Sequence, residues 1–125
     1  MASVNSFEDL EVWKIGTEIR KLSMNIVRKL PSEEKFDLGS QLKRASRSIS
    51  NNIAEGYGRF HYQENIQFCR VSRGSAYETL DHLIIANEEA YITDGELQNA
   101  RDLIDKFLRV LNGYINYLKK AKGNQ

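Results

Sequence analysis

Apolar residues recur every three or four positions in four separate stretches of this 125-residue chain, which is the spacing of one face of an α-helix. The clearest stretch follows a capping box formed by Thr93 and Glu96. Its apolar seam consists of Leu97, Ala100, Ile104, Phe107, Leu111, Tyr114 and Leu118. Such a heptad-like seam is typical of left-handed helical bundles, and no stretch alternates as a β-strand does. The chain is therefore predicted to be all-α.

Residues that stop helices separate the four stretches. Pro31 ends the first helix, for which Ser6 is the predicted N-cap, and Gly56 and Gly58 end the second in a left-handed conformation. The predicted helices span about residues 6–30, 36–55, 62–90 and 94–118, followed by a frayed tail at 119–125. Helices of this length with short connections predict an antiparallel up-down-up-down left-handed four-helix bundle, and residues 1–125 are expected to form this single domain.

The composition is that of a globular protein with one hydrophobic core, since 41% of the residues are apolar and 28% are charged. A single proline favours long helices, and a single cysteine excludes an intramolecular disulfide and fits a reducing compartment. The first residues lack the basic and apolar run of a signal peptide, and no apolar run approaches the roughly 20 residues that span a bilayer. We therefore expect a cytoplasmic protein with no membrane partner.

The formal net charge of +1 conceals four blocks of different charge. Residues 1–39 sum to −1 and residues 40–75 to +4, whereas residues 76–105 sum to −7 and residues 106–125 to +5. Below, the acidic block means residues 76–105. The distribution of charge along the chain is thus more informative about partners than its total.

Six basic residues of the second block are candidates for contacts with nucleic acid. They are Lys43, Arg44, Arg47, Arg59, Arg70 and Arg73. The first three fall within one arc of the second helix, nearly opposite its apolar stripe, so they form a basic ridge that faces away from the core. One interpretation is a phosphate-binding surface. The other is a solvated face, or a set of salt bridges to the acidic block, and composition alone favours it because nucleic-acid binders usually show a basic excess.

The residue types that carry catalysis or bind metals are sparse. No glutamate is followed three residues later by a histidine, as a di-iron bundle requires, and His82 follows Glu78 by four. Cys69 lies on the inward face of the third helix, where a buried thiol is inert. The sequence therefore predicts no catalytic residue, no metal and no cofactor, and we do not expect an enzyme.

Two polar residues near the end of the second helix have predicted structural roles. Asn52 lies at the edge of the apolar stripe, so its amide needs partners, and we expect it to tie this helix to a neighbouring one. Glu55 is expected to pair with Arg59 across the turn.

Several segments of the chain resemble a known family. These segments are residues 7–13, 36–45, 52–59 and 73–80, of which the most specific is Asn52-Ile53-Ala54-Glu55-Gly56. They are similar to the four-helix-bundle proteins associated with 23S rRNA intervening sequences, a family also labelled S23 ribosomal protein. The resemblance extends over about residues 7–118. The chain departs from it at Ser46 and Ser50, where the family often has alanine and proline.

The resemblance implies a four-helix bundle that assembles into a homo-oligomer, with a homopentamer as the expected form, and no established enzymatic activity. Phe7, Leu10 and Trp13 fall partly off the first apolar stripe, so they are candidates for the oligomer interface. The alternative is that Trp13 only covers the end of its own bundle. Two functions stay open: an accessory protein that binds RNA or DNA through the basic ridge, and a protein-interaction scaffold whose charged blocks serve subunit assembly.

Overall fold

The computed structural model describes residues 4–123, and the regular elements among them are all helices. The four α-helices are α1 (Glu11–Lys29), α2 (Leu38–Tyr57), α3 (Tyr62–Glu88) and α4 (Asp94–Gly123), with short 3₁₀ helices at Phe7–Asp9 and Ser32–Glu34. The all-α prediction is therefore confirmed for the described part of the chain.

Each α-helix packs against two others around a single apolar core. α1 and α3 both contact α2 and α4, whereas no close backbone approach joins α1 to α3 or α2 to α4 within residues 4–123. The fully buried side chains at the centre include Ile19, Leu42, Ile49, Ile66, Leu83, Ile104, Phe107 and Leu111. This ring of four helices is a four-helix bundle.

The start of α1 differs from the predicted one at residue 6. Ser6 caps the 3₁₀ helix Phe7–Asp9, because its Oγ accepts a hydrogen bond from the backbone N–H of Glu8 at 3.1 Å. Leu10 then takes an extended conformation with φ −71° and ψ 126°, which interrupts the helical path. α1 therefore begins only at Glu11.

The end of α4 also differs, since the helix continues through Gly123 where a frayed tail was expected from residue 119. Lysines in this last turn are favourable beside the negative end of the helix dipole. One of them, Lys122, donates a hydrogen bond from Nζ to Oε1 of Gln63 in α3 at 2.6 Å, which holds the turn against its neighbour. Residues 124–125 of the predicted tail lie outside the described residues.

The predicted capping box at the start of α4 is confirmed. The Thr93 N–H donates to Glu96 Oε1 at 3.0 Å, and the Glu96 N–H donates to Thr93 Oγ1 at 3.1 Å. Both bonds satisfy backbone donors that the first turn of a helix leaves without partners.

The glycines at the end of α2 have a different role from the predicted one. Gly56 lies inside the helix, which ends at Tyr57, and Gly58 caps it with φ −75°, so no left-handed residue is needed. A Cβ on Gly56 would lie 2.6 Å from Asn65 Oδ1 and 2.9 Å from Phe68 Cβ. Glycine is required at this position because α3 approaches the α2 backbone closely.

No helix among residues 4–123 combines the length and the apolar character needed to cross a membrane.

Candidate nucleic-acid interface

The outer face of α2 forms a polar groove of about 490 Å³, which we call the α2 groove. It contains three of the six predicted basic residues. The lining residues are Ser40, Lys43, Arg44, Arg47, Ser48, Asn51, Asn52 and Glu55. They come together because they repeat at helical spacing on the side opposite the buried residues Leu42 and Ile49. The basic ridge predicted from the sequence is thus a continuous surface of α2.

Arg44 is shared between this groove and α3. Its Nη2 lies 2.5 Å from Glu78 Oε2 and 2.9 Å from Gln41 Oε1. Nε2 of His82 lies 3.2 Å from the same Glu78 oxygen. Desolvation raises the pKa of the Glu78 carboxyl, but the hydrogen bonds from His82 and Arg44 outweigh it and lower that pKa below its ordinary value. Arg44 therefore faces a carboxylate that stays ionised at neutral pH.

A second ion pair also joins a basic side chain to the acidic block. Nζ of Lys29 in α1 contacts the Glu96 carboxylate at the start of α4. Hydrogen bonds from Lys29 and from Thr93 lower the pKa of this carboxyl. Both ion pairs lie at the surface, where such pairs contribute about 0–1 kcal/mol each.

The other three predicted basic residues do not line the α2 groove. Arg59 lies after the end of α2, with its guanidinium carbon 4.7 Å from the centre of the Phe68 ring. Arg73 donates from Nη1 to Asn112 Oδ1 of α4 at 3.1 Å, and Arg70 is exposed on α3. The six candidates are therefore divided between the α2 face and the surface of α3.

The side of α3 that meets α2 explains this division. Ser72 Oγ donates to the Ile49 carbonyl oxygen at 2.6 Å, and Ser75 Oγ donates to Ser48 Oγ at 2.8 Å. Because these serines pack against α2, the rotation of the helix places Arg73 on the side of α3 that faces α4.

The two polar residues at the end of α2 make different contacts from the predicted ones. Asn52 donates from Nδ2 to the backbone oxygen and to Oγ of Ser48, both at 2.8 Å, so it bonds within its own helix. It reaches α3 only indirectly, through the Ser75–Ser48 hydrogen bond. Glu55 and Arg59 form no ion pair within 4.0 Å among the described residues, because Arg59 lies over an aromatic ring instead.

The three interface candidates near the start of the chain are half-buried in their own bundle. The Phe7 and Trp13 rings pack edge to face with centroids 5.3 Å apart, and Leu10 and Trp13 pack against the core. Leu10 also lines a cavity of about 210 Å³ together with Tyr62 and Tyr114. This placement agrees with the alternative that Trp13 covers the end of its own bundle.

The most exposed large apolar side chains lie elsewhere. Phe36, just before α2, is 94% exposed and Phe60, just after it, is 85% exposed. Val71, Tyr77 and Tyr117 are also more than half exposed. Sequence reasoning missed these residues, although Phe36 and Phe60 stand beside helix ends and off the predicted apolar stripes.

The groups with reactive chemistry are few in the described part of the chain. Residues 4–123 contain no cluster of three or more histidine, cysteine or acidic side chains that could hold a metal. Burial raises the pKa of the Cys69 thiol to about 12, so this group is protonated at neutral pH and a poor nucleophile. Burial likewise raises the pKa of the Tyr114 hydroxyl to about 12.

A second basic groove, which we call the α1 groove, lies on the outer face of α1. It has a volume of about 370 Å³ and is lined by Arg20, Lys21, Met24, Asn25 and Arg28. The charge sum over residues 1–39 does not reveal this groove, because acidic residues at both ends of that block cancel the positive charge of the groove. The signal was present, since residues 19–32 contain four basic residues and no acidic one.

Comparison with known proteins agrees with the resemblance carried by the sequence segments. No curated protein matched the chain. The 23S rRNA-intervening sequence protein family matched over residues 8–113, which is most of the chain and includes the two basic grooves. This 125-residue chain with a four-helix bundle and an outward basic face therefore belongs to the 23S rRNA-intervening sequence protein family.

Proposed function

We propose that this protein is a non-enzymatic accessory protein that binds RNA or DNA by contacting phosphates with the α2 groove. The observation that supports it is the convergence of Lys43, Arg44 and Arg47 on one groove. α2 contains no acidic residue before Glu55, so these cations meet no carboxylate from their own helix over four turns.

Most of the remaining lining residues are suited to the same ligand. Ser40, Ser48 and the amide of Asn51 offer neutral donors beside the cations, whereas both Nδ2 hydrogens of Asn52 are bonded to Ser48 and Glu55 adds one carboxylate near the C-terminal end of α2. Such donors, together with arginine and lysine, make most of the phosphate contacts in nucleic-acid complexes. Contacts of this kind position a nucleic acid without reading its sequence, so we expect binding that depends on salt and little on sequence.

Binding of fluorescently labelled RNA and DNA, followed by anisotropy at increasing salt, tests the proposal. Replacing Lys43 and Arg47 with glutamine should weaken binding and reduce the slope of log K against log salt by about 1.4 to 1.8. Replacing Lys119 and Lys120 of α4 with glutamine removes the same charge and should change binding little. An absence of binding to both nucleic acids at low salt would falsify the proposal.

The second candidate function is a protein-interaction scaffold whose charged blocks serve subunit assembly. The Arg44–Glu78 and Lys29–Glu96 pairs join basic residues to the acidic block within one chain, and the same charge complementarity would act between copies. Under this alternative, high salt should dissociate an oligomer and the α2 variants should alter assembly without any nucleic-acid binding. Light scattering after size-exclusion chromatography, at low and high salt, distinguishes the two functions.

We also propose how the four helices of the bundle are arranged and how copies of the chain assemble. We take the bundle as one antiparallel up-down-up-down left-handed domain covering residues 1–125. The Arg44–Glu78 and Ser48–Ser75 contacts support antiparallel packing of α2 and α3, because residue numbers increase along α2 as those of their partners decrease along α3. The heptad-like seam of α4 supports the left-handed twist.

The expected assembly is a homopentamer in the cytoplasm. Family resemblance supports the pentamer, and the single buried cysteine fits a reducing compartment. The half-exposed parts of Phe7, Leu10 and Trp13 are the proposed subunit contacts. Light scattering should then give about five times the chain mass of 14.4 kDa, and Trp13→Ala should lower it.

A further inference from the structure

We infer that the interface continues from α2 across to α1, and that its preferred ligand is a double-stranded nucleic acid whose two backbones are held by the two grooves. This inference rests on the proposed function and adds to it a second surface and the strandedness of the ligand.

The α1 groove repeats the chemistry of the α2 groove. Lys21 and Arg28 are exposed and Arg20 is half-buried. Nη1 of Arg28 donates to Asn25 Oδ1 at 2.8 Å, which restrains the guanidinium beside the groove. These residues contribute three positive charges and an amide on a stretch of helix without a carboxylate.

The register of α1 against α2 places the two grooves side by side. A Cβ on Gly16 of α1 would lie 3.2 Å from Ile49 Cγ2, so Gly16 lies at the seam between the helices. A Cβ on Gly39 of α2 would likewise lie 3.5 Å from Val27 Cγ1. Residues four positions further along a helix lie on nearly the same face, one turn away. Arg20 lies four residues after Gly16 in α1, and Lys43 lies four residues after Gly39 in α2. Both side chains therefore flank this seam.

The contacts of the other two helices show which flank of the seam the cations occupy. α4 meets α1 on the side of Lys29, which contacts Glu96. α3 meets α2 on the side of Ser48, which accepts from Ser75. The flank that carries Arg20 and Lys43 is turned away from both contacts. The α1 and α2 grooves therefore form one outward basic face.

The spacing of this face suits a duplex. Packed helices lie about 8–10 Å apart between their axes, so two rows of long cationic side chains that extend outward from α1 and α2 are separated by a distance of this order. Lys21 and Arg28 are seven residues apart, or about 10 Å along the helix at 1.5 Å a residue. Two phosphate backbones flank the major groove of a DNA duplex, which is about 12 Å wide. Each row can therefore contact the phosphates of one strand.

The residue types in the two grooves argue against a single-stranded ligand. Proteins that bind single strands combine cations with aromatic side chains on which bases stack, at about 1–3 kcal/mol per base. No aromatic residue lines either groove. The side chains present can hold a backbone but offer no platform for an unpaired base.

The test compares duplex and single-stranded probes on the full chain by fluorescence anisotropy. A duplex of about 20 base pairs, at about 3.4 Å a pair, is longer than either helix. We expect duplex DNA to bind at least about tenfold more tightly than a single strand of the same length at low salt. RNA and DNA share the phosphate backbone, and their two arms show which duplex is preferred.

The α1 groove is tested by the triple variant Arg20→Gln/Lys21→Gln/Arg28→Gln. We expect it to weaken duplex binding at least as much as the α2 double variant does and to lower the salt slope by up to about 3. The matched control Lys106→Gln/Lys119→Gln/Lys120→Gln removes the same charge from exposed positions of α4 and should change binding little. Circular dichroism of each variant checks that the bundle is folded.

The outcomes separate this inference from the proposed function. If the α2 variants weaken binding and the α1 triple variant does not, the extension to α1 is wrong while the α2 groove still binds nucleic acid. If a single strand binds more tightly than the duplexes, the inferred ligand is wrong. If no nucleic acid binds at low salt, the proposed function itself fails.

Discussion

The basic face of α1 and α2 and the acidic block of residues 76–105 show how one nearly neutral chain carries two opposite surfaces. α1 has a net charge of +3 and α2 of +2, whereas the acidic block has −7. Two surface ion pairs, Lys29–Glu96 and Arg44–Glu78, join them at their edges. Lys43 and Arg47 form no ion pair within 4.0 Å in the described part of the chain.

The acidic block therefore neutralises only the margins of the basic face. The side chains in the middle of the face keep their charge directed to solvent, where a phosphate backbone can reach them. A total charge near zero is therefore compatible with a local anion-binding surface, because screening limits exposed charges to a range of about 8–10 Å.

The largest expected effect comes from reversing the charge of the basic face. Lys43→Glu/Arg47→Glu removes two phosphate contacts and adds two repulsions, so nucleic-acid affinity should fall by about 100-fold or more at about 50 mM salt. Fluorescence anisotropy measures this loss, and Lys119→Glu/Lys120→Glu is the matched control. Equal losses in the two variants would mean that total charge, rather than the basic face, governs binding.

The next largest effect concerns the close packing of α2 against α3, which positions the basic face relative to the acidic block. Gly56→Ala puts a Cβ within 3 Å of Asn65 and Phe68, so it should lower the free energy of unfolding by about 1–3 kcal/mol. Urea denaturation measures the change. Gly74→Ala in α3 is the control, since no atom lies within 4 Å of its Cβ position, and it should stabilise by about 0.5–1 kcal/mol.

A smaller effect is expected from releasing Arg44 at the edge of the face. Glu78→Gln removes the carboxylate that holds Arg44, so nucleic-acid affinity should rise about two- to fivefold while stability falls by at most about 1 kcal/mol. Asp81→Asn, one turn further along α3, removes the same charge without releasing Arg44. If both variants raise affinity equally, the gain comes from net charge and not from Arg44.

The smallest effect is the dependence of the Arg44–Glu78 pair on pH. Against desolvation, the hydrogen bonds from His82 and Arg44 lower the pKa of Glu78 from 4.5, so these contacts stabilise the fold above pH 4.5 and their contribution is lost as pH falls through the lowered pKa. The stability difference between the wild type and Glu78→Gln, measured in urea, should thus vanish on acidification. A difference that persists or grows in acid would contradict this assignment.

Local features of the fold could be predicted from the sequence because they depend on neighbouring residues. The Thr93–Glu96 capping box needs only atoms within one turn, and the outward position of Lys43, Arg44 and Arg47 follows from helical periodicity once α2 exists. The ends of α1 and α4 were predicted less well. Leu10 interrupts one helix and the Lys122–Gln63 contact extends the other, and neither is encoded in the apolar pattern.

The candidate site could be predicted only in part, because it depends on how separate helices meet. Arg59 and Arg73 belong to the same charge block as the α2 groove, yet Phe68 and Asn112 hold them elsewhere. Asn52 was expected to reach another helix and instead bonds Ser48 one turn back. The α1 groove was missed because a sum along the chain counts residues that the fold places far apart.

By itself, the sequence determined the helical class, the inward and outward faces of each helix, and the family. Only the tertiary structure decided which outward faces become neighbours. Gly16 and Gly39 join α1 to α2 and bring two basic grooves together, while Ser72 packs on α2 and turns Arg73 towards α4. The physical reason is that periodicity is a property of one backbone, whereas the adjacency of surfaces follows from packing between helices distant in the chain.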